Sequence, residues 1–325
     1  MEEQALLTGG TGFIGGHLHG PLRAAGWRVR CLTRRPEAAR ARWPDRDWAA
    51  GDVGEAGPLS RALEGCRIAF YLVHGMADQR EGWAEGELRA AEVFAREAAR
   101  AGLERIVYLG GVAPAGPPSR HLRARLSTGE ALRAGAVPCL ELRAGMIIGA
   151  GSASWTIVRD LAARLPAMVL PRWLRSRSEP VALDDVISAL LSAARFPLQG
   201  SAWWDLPGPE ALSGKELLLR VAAVMGRRPF LVPVPLVTPH LSFHWIRLVT
   251  RADPTVAREL VEGLKTDLLA QRRGYWTASG QSALMGLEEA ARRALAAEGP
   301  LSPRGRLAEA HAALVTRRPR LEPRG

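Results

Sequence analysis

Short apolar runs alternate with helix-length amphipathic stretches from the first residues of the chain to about residue 206. Runs of strand length fall at Ala5–Thr8, Trp27–Leu32, Asp47–Ala50, Arg67–Val73, Arg105–Leu109 and Cys139–Ala144. Between them, periodicity predicts helices over Gly12–Ala25, Pro58–Leu63, Trp83–Ala101 and Arg120–Ala134. This alternation is the mark of βαβ units, and hence of a doubly wound parallel α/β sheet of the Rossmann type. The run Ile68–Val73 has no polar position, as expected of a strand covered by helices on both faces, so it should lie centrally.

Beyond Gly149 the pattern loosens. A helix is expected near Ser154–Leu165, followed by a Pro- and Arg-rich connection from Pro166 to Pro180, a short strand and helix over Val181–Ala194, and a strand at Ala202–Leu206 returning to the sheet. From Pro207 onward helix alternates with proline-punctuated loop. The reading is therefore a nucleotide-binding domain over 1–206 with a helical excursion near 150–180, a small, mostly helical substrate-cleft domain over 207–297, and an Arg-, Ala- and Pro-rich tail over 298–325.

At 325 residues the chain is about twice the usual domain size, and 47% hydrophobic with 24% charged residues is ordinary globular composition. No apolar stretch reaches the roughly 18 residues of a membrane span, and the acidic start Met1-Glu2-Glu3 does not look like a secretory signal, so a cytoplasmic location is expected. Cys31, Cys66 and Cys139 are odd in number and widely spaced, which argues against disulfides and structural zinc, and no metal is expected. The net charge of +11 suits phosphate. Its arginines are spread along the chain and only Lys215 and Lys265 are lysines, so nucleic acid is an unlikely partner and a phosphorylated cofactor a better one.

Thr8-Gly-Gly-Thr-Gly-Phe-Ile-Gly15 lies between the first strand and the first helix. In that setting Gly9 permits a tight turn, Gly12 lets backbone approach a pyrophosphate, and Gly15 lets helix and strand pack. Together with Thr11, Phe13 and Ile14 they form the candidate phosphate loop. A site for NAD usually has an acid at the end of the second strand; here Thr33 is followed by Arg34 and Arg35. Guanidinium groups suit a 2′-phosphate, so NADP(H) is preferred, with NAD(H) as the alternative, against a reading in which both arginines simply solvate a loop. Asp52 and Val53, just past the third strand, stand where an adenine would be held, or where an acid merely caps a turn.

With these residues in hand the chain resembles the short-chain dehydrogenase/reductase superfamily, among its atypical members with an extended-type glycine loop. Thr8–Gly15, Gly51-Asp52-Val53, Leu142-Arg-Ala-Gly-Met-Ile-Ile-Gly149 and Trp204-Asp-Leu-Pro-Gly-Pro-Glu210 carry the resemblance. Tyr71-Leu-Val-His-Gly-Met76, His121-Leu-Arg-Ala-Arg125 and Pro233-Val-Pro-Leu-Val-Thr-Pro239 narrow it to a bacterial subgroup of NAD(P)-binding, epimerase-like proteins. The resemblance implies a Tyr and a Lys four residues apart, and a nearby Ser or Thr. None is here: Gly75, Val112 and Ser279 stand four residues after Tyr71, Tyr108 and Tyr275, no lysine precedes Lys215, and the usual serine position reads Gly110-Gly111.

His121 and Arg125 take the i and i+4 places instead, on one helix face. Imidazole could move a proton and guanidinium could bond a ribose. His74, at the carboxyl end of the fourth strand, is the second candidate acid, and both histidines could equally be bonding cofactor or backbone. Two functions compete: an oxidoreductase or isomerase acting on a small carbonyl-type substrate, and a catalytically silent NADP(H)-binding sensor or assembly factor. Epimerisation of a sugar nucleotide ranks below them, since it normally needs the same tyrosine base. Folds of this kind commonly pair through edge helices, which suggests a homodimer without a specific residue to carry it.

Overall fold

The computed structural model describes residues 3–73, 82–164, 167–170, 172–233 and 266–298. Strands β1 (Gln4–Thr8), β2 (Arg28–Thr33), β3 (Asp47–Ala50), β4 (Ile68–Tyr71), β5 (Arg105–Gly111) and β6 (Cys139–Ala144) are separated by helices α1 (Phe13–Ala24), α2 (Pro36–Arg42), α3 (Ala56–Leu63), α4 (Trp83–Arg100) and α5 (Arg120–Ala134). The chain continues through β7 (Ile147–Ile148), α6 (Ala153–Arg164), β8 (Ala167–Leu170), β9 (Arg177–Ser178), β10 (Val181–Ala182), α7 (Leu183–Ala193), β11 (Ala202–Asp205), β12 (Leu212–Ser213), α8 (Gly214–Val224) and β13 (Phe230–Pro233). Helices α9 (Tyr275–Ala278) and α10 (Leu287–Ala297) end the described part.

Seven parallel strands form one sheet in the order β11-β6-β5-β4-β1-β2-β3. This is the doubly wound arrangement expected. The apolar β4 is its middle strand, and β11 returns beside β6. Strand order reverses between β1 and β4, and the crevice at the carboxyl ends of such a pair is where this architecture binds ligands. Thr8 sets that crevice: its hydroxyl donates to the Phe70 carbonyl at 3.0 Å and accepts the Leu72 N–H at 2.9 Å. Because a side chain takes the Leu72 N–H, β4 stops at Tyr71, two residues short of the apolar run.

Helices α1 and α7 bury one face of the sheet, with Leu18, Leu22, Val186 and Leu190 inaccessible. Helices α3, α4 and α5 bury the other through Leu59, Phe94 and Leu132. A separate apolar cluster joins α6, α8 and α10 around Trp155, Val221 and Ala291. Some elements lay outside the sequence reading. Helix α2 buries only Ala39, so it shows no apolar stripe. Within the Pro166–Pro180 connection β8 pairs with β13 and β9 with β12, strands of two to four residues that are too short to display a period.

The segment after Thr266 is fastened to the sheet domain by buried carboxylates. Glu179 accepts the Ala270 N–H at 2.7 Å, Asp205 accepts those of Gln271 and Arg272 at 2.7 and 3.0 Å, and Asp185 accepts that of Met285 at 2.9 Å. Tyr275 enters the main core and donates to the Ala189 carbonyl at 2.8 Å. Among the described residues no helix is long and apolar enough to cross a membrane. The three cysteines are free and buried.

Candidate active site

The loop between β1 and α1 is built by its glycines. Gly9 has φ +67°, and a Cβ there would stand 2.5 Å from the Leu72 carbonyl oxygen, so the position excludes other residues twice over. A Cβ on Gly15 would lie 2.3 Å from the Gly9 oxygen; the first turn of α1 packs directly on the loop. Gly12 differs. Its N–H donates to the Gly9 carbonyl at 2.8 Å, and an added Cβ would meet only that carbonyl oxygen, at 3.2 Å. Helix α1 opens after it with no side-chain cap and no acid in its first turn, which leaves the positive helix end to an anion. A pyrophosphate fits this arrangement. Phe13 and Ile14 turn their side chains toward the core and offer backbone only.

A cleft of about 600 Å³ starts at this loop. At one end it is walled by Thr33, Arg34, Gly51, Asp52 and Val53, and at the other by Trp83, Glu87, Tyr108 and Thr128. Asp52 holds its own turn through the Gly54 N–H at 2.8 Å, while its second oxygen lies 3.8 Å from Nε of the exposed Arg34. Arg35 starts α2, its N–H bonded to the Thr33 hydroxyl at 3.2 Å, and its side chain is exposed. Of the residues singled out in the sequence, the cleft brings together Gly9, Thr11, Gly12, Arg34, Asp52 and Val53. Phe13, Ile14, Gly15 and Arg35 flank it, and His74 lies outside the described residues.

His121 and Arg125 share one face of α5, but neither is among the residues lining the cleft. His121 is buried with its ring 4.4 Å from that of Trp83, which does line it. The Arg125 guanidinium donates to the carbonyls of Leu109 and Gly110 at 3.1 and 2.8 Å and so caps the end of β5. Its Nε is buried without a hydrogen-bond partner.

No tyrosine is poised as an acid. The Tyr108 hydroxyl donates to the Arg125 carbonyl at 2.9 Å, and Tyr71 packs edge-on against Phe94 and Tyr108. Burial pushes both phenols well above the ordinary range, with further upward contributions from Glu87, and pushes Tyr275 up to about 12. Nor is there room at Gly110 or Gly111 for the serine that the resemblance implies. A Cβ on Gly110 would meet the Glu141 carboxylate at 2.7 Å, and one on Gly111 the Leu122 side chain at 2.7 Å. Glu141 is inaccessible and paired with Arg133 and Arg143, each at 2.8 Å.

Sequence reasoning passed over Trp83, Gly86, Glu87 and Ala90, which put α4 into the cleft wall. Their i, i+3, i+4, i+7 spacing is a helix face on which two small residues and an acid replace the expected apolar stripe. That interruption was the available signal.

Residues 5–133 match the NAD dependent epimerase/dehydratase family. The chain is 32% identical over 235 residues to a ceramide reductase of Caulobacter vibrioides, covering 70% of this chain and 73% of that protein. Among solved structures it is similar to the triphenylmethane reductase of Citrobacter sp. complexed with NADP(H), at TM-score 0.70, 16% identity, and 90% and 99% coverage of the two chains. It is also similar to MoeE5 in complex with UDP-glucose and NAD, at TM-score 0.65, 20% identity, and 90% and 97% coverage. Identities this low speak for the fold alone. The curated relative and the family match go further: the chain belongs to the NAD-dependent epimerase/dehydratase family of the short-chain dehydrogenase/reductase superfamily and is an NAD(P)-dependent oxidoreductase of that kind.

Proposed function

We propose that the protein is an NADP(H)-dependent reductase of a small carbonyl-type substrate. The observation that carries this reading is the adenosine end of the cleft, where β2 ends without an acid and Arg34 stands at the wall. Arg34 is only loosely engaged by Asp52 at 3.8 Å, a distance at which a 2′-phosphate can replace the carboxylate as its partner. Arg35 is close enough in sequence to join it. Gly9, Thr11 and Gly12, with the first turn of α1 through Gly15, would hold the pyrophosphate, and Asp52 and Val53 the adenine. When bound, the dinucleotide supplies or accepts hydride.

We assign proton transfer to His121 or His74, because burial raises all three phenols and makes them poorer acids, and the Tyr108 hydroxyl is already committed to the Arg125 carbonyl. His121 is in ring contact with Trp83, a wall of the cleft, and an imidazole is a side chain able to pass a proton to a carbonyl oxygen. Substrate recognition is assigned to residues 207–297, whose helices α8 and α10 pack in the second apolar cluster. The curated relative is named a reductase, which favours reduction over epimerisation.

The test is a titration of wild type and of Arg34→Ala/Arg35→Ala with NADPH and NADH, followed by a screen of aldehydes, ketones and quinones for NADPH oxidation. Preference for NADPH that the double variant loses supports the reading, and equal affinity of the wild type for both cofactors removes it. A protein that binds NADPH but oxidises it with no substrate class would instead be a sensor.

A further inference from the structure

We propose that Arg46, which lies outside the cleft, is the positioning residue of the glycine loop. The inference rests on the reading that this loop holds the dinucleotide. Arg46 sits in the turn between α2 and β3, and its guanidinium reaches across β2 to the loop. One arm donates to the Gly10 carbonyl at 3.0 Å and the other to the Gly16 carbonyl at 3.3 Å. A single planar fork thus ties the loop to the first turn of α1 and brackets the segment that includes Thr11, Gly12 and Gly15.

The peptide geometry gives this clamp a consequence in the cleft. In a trans peptide the carbonyl and the following N–H point in opposite directions. Holding the Gly10 carbonyl on Arg46 therefore turns the Thr11 N–H away from Arg46, and Thr11 is a lining residue of the cleft. Gly10 also faces Cys31 and Trp48: a Cβ there would be 3.2 Å from the Cys31 sulfur and 3.5 Å from the Trp48 ring. Arg46 is itself steadied by the Trp43 ring, 5.0 Å from its guanidinium carbon, and the Trp43 carbonyl accepts the Trp48 indole N–H at 3.0 Å. A lysine ammonium also has several donors, but they radiate from one atom and do not reproduce the planar two-armed fork.

Arg46 acts on the pyrophosphate that NADPH and NADH share, whereas Arg34 acts on the 2′-phosphate alone. The experiment titrates wild type, Arg46→Met, Arg46→Lys and Arg34→Ala with NADPH, NADH and adenosine 2′-monophosphate, which carries no pyrophosphate. Arg46→Met should weaken both dinucleotides about tenfold and by the same factor, with adenosine 2′-monophosphate within about twofold of wild type. Arg46→Lys should recover part of the loss, and Arg34→Ala should affect NADPH selectively. Wild-type affinity of Arg46→Met for both dinucleotides overturns the proposal. So does an equal loss for adenosine 2′-monophosphate, which would mean general damage to the fold. If Arg46→Met does not fold, Arg46→Lys against wild type decides by the same ratio of dinucleotide to fragment. A wild type that binds neither dinucleotide fails the loop reading itself, before any variant is compared.

Discussion

The carboxylate of Glu141 occupies the space that a side chain at Gly110 would need, 2.7 Å from where its Cβ would stand. Arg133 and Arg143 hold that carboxylate from two sides, and the Arg143 guanidinium in turn lies 4.1 Å from the Trp203 ring. The absence here of the serine that the family resemblance implies is thus accompanied by a buried charge network. A single substitution to serine at Gly110 would have to displace that carboxylate.

Gly110→Ser should therefore destabilise without adding activity. Overpacking of a close-packed interior costs about 1–3 kcal/mol, and here the neighbour that must move is a paired, inaccessible carboxylate. A thermal melt should show a drop of a few degrees or more, and NADPH oxidation should not rise. An unchanged melting temperature would mean that Glu141 has freedom which the packing does not suggest.

Two glycines of the loop, Gly15 and Gly12, should separate folding from binding. Gly15→Ala puts a methyl group 2.3 Å from the Gly9 oxygen and should lower the melting temperature with or without cofactor. Gly12→Val meets only the Gly9 carbonyl from the protein side, so it should fold, yet its branches would stand where a pyrophosphate approaches. Melts with and without NADPH read both effects. If Gly12→Val is stabilised by NADPH as fully as wild type, the phosphates lie elsewhere.

Replacing His121 and Arg125 should give different signatures. His121→Phe keeps ring volume against Trp83 and should leave NADPH affinity within a few-fold while lowering turnover by about 10²–10⁴. Arg125→Met strips the donor from the Leu109 and Gly110 carbonyls and should cost about 1–3 kcal/mol of stability. Unchanged turnover in His121→Phe would pass the proton to His74.

Alkaline titration should find every phenol silent until the protein unfolds. Tyr71, Tyr108 and Tyr275 are all raised from 10.0 by burial, and burial also raises the thiols of Cys66 and Cys31 from 9.0 to about 11 and about 12. A raised folded-state value means that the unfolded chain releases its protons first. Stability is then full below about pH 9, falls as pH rises through the unfolded values, and goes on falling until each folded value is passed, by roughly 1.4 kcal/mol per pH unit for each group in its window. Tyrosinate absorbance should appear only together with loss of tertiary structure. A phenol that ionises near pH 10 in the folded protein would reopen tyrosine as a catalyst.

The sheet was legible in the sequence because each of its strands is an apolar run set off by helical periodicity, and the glycine loop because its chemistry is local. What escaped was long-range. That Gly110 and Gly129 both yield to Glu141 depends on two strands and a helix meeting, and nothing near any one of those residues announces it. Arg125 read as a ribose donor from its helix face, but the nearest acceptors are the carbonyls that end β5. Arg46 is one arginine among many in the chain, with no local pattern to single it out.

The carboxylates of Glu179, Asp205 and Asp185 take up backbone amides that follow them by 91, 66 and 100 residues. Each acid is made long before its partner leaves the ribosome. Contacts of such long sequence separation carry a large loop-closure cost, so the segment after Thr266 is expected to dock late, as a latch on the sheet. Protease susceptibility during synthesis should accordingly persist until that latch engages, and a chain ended short of it would carry three carboxylates whose burial has lost its purpose.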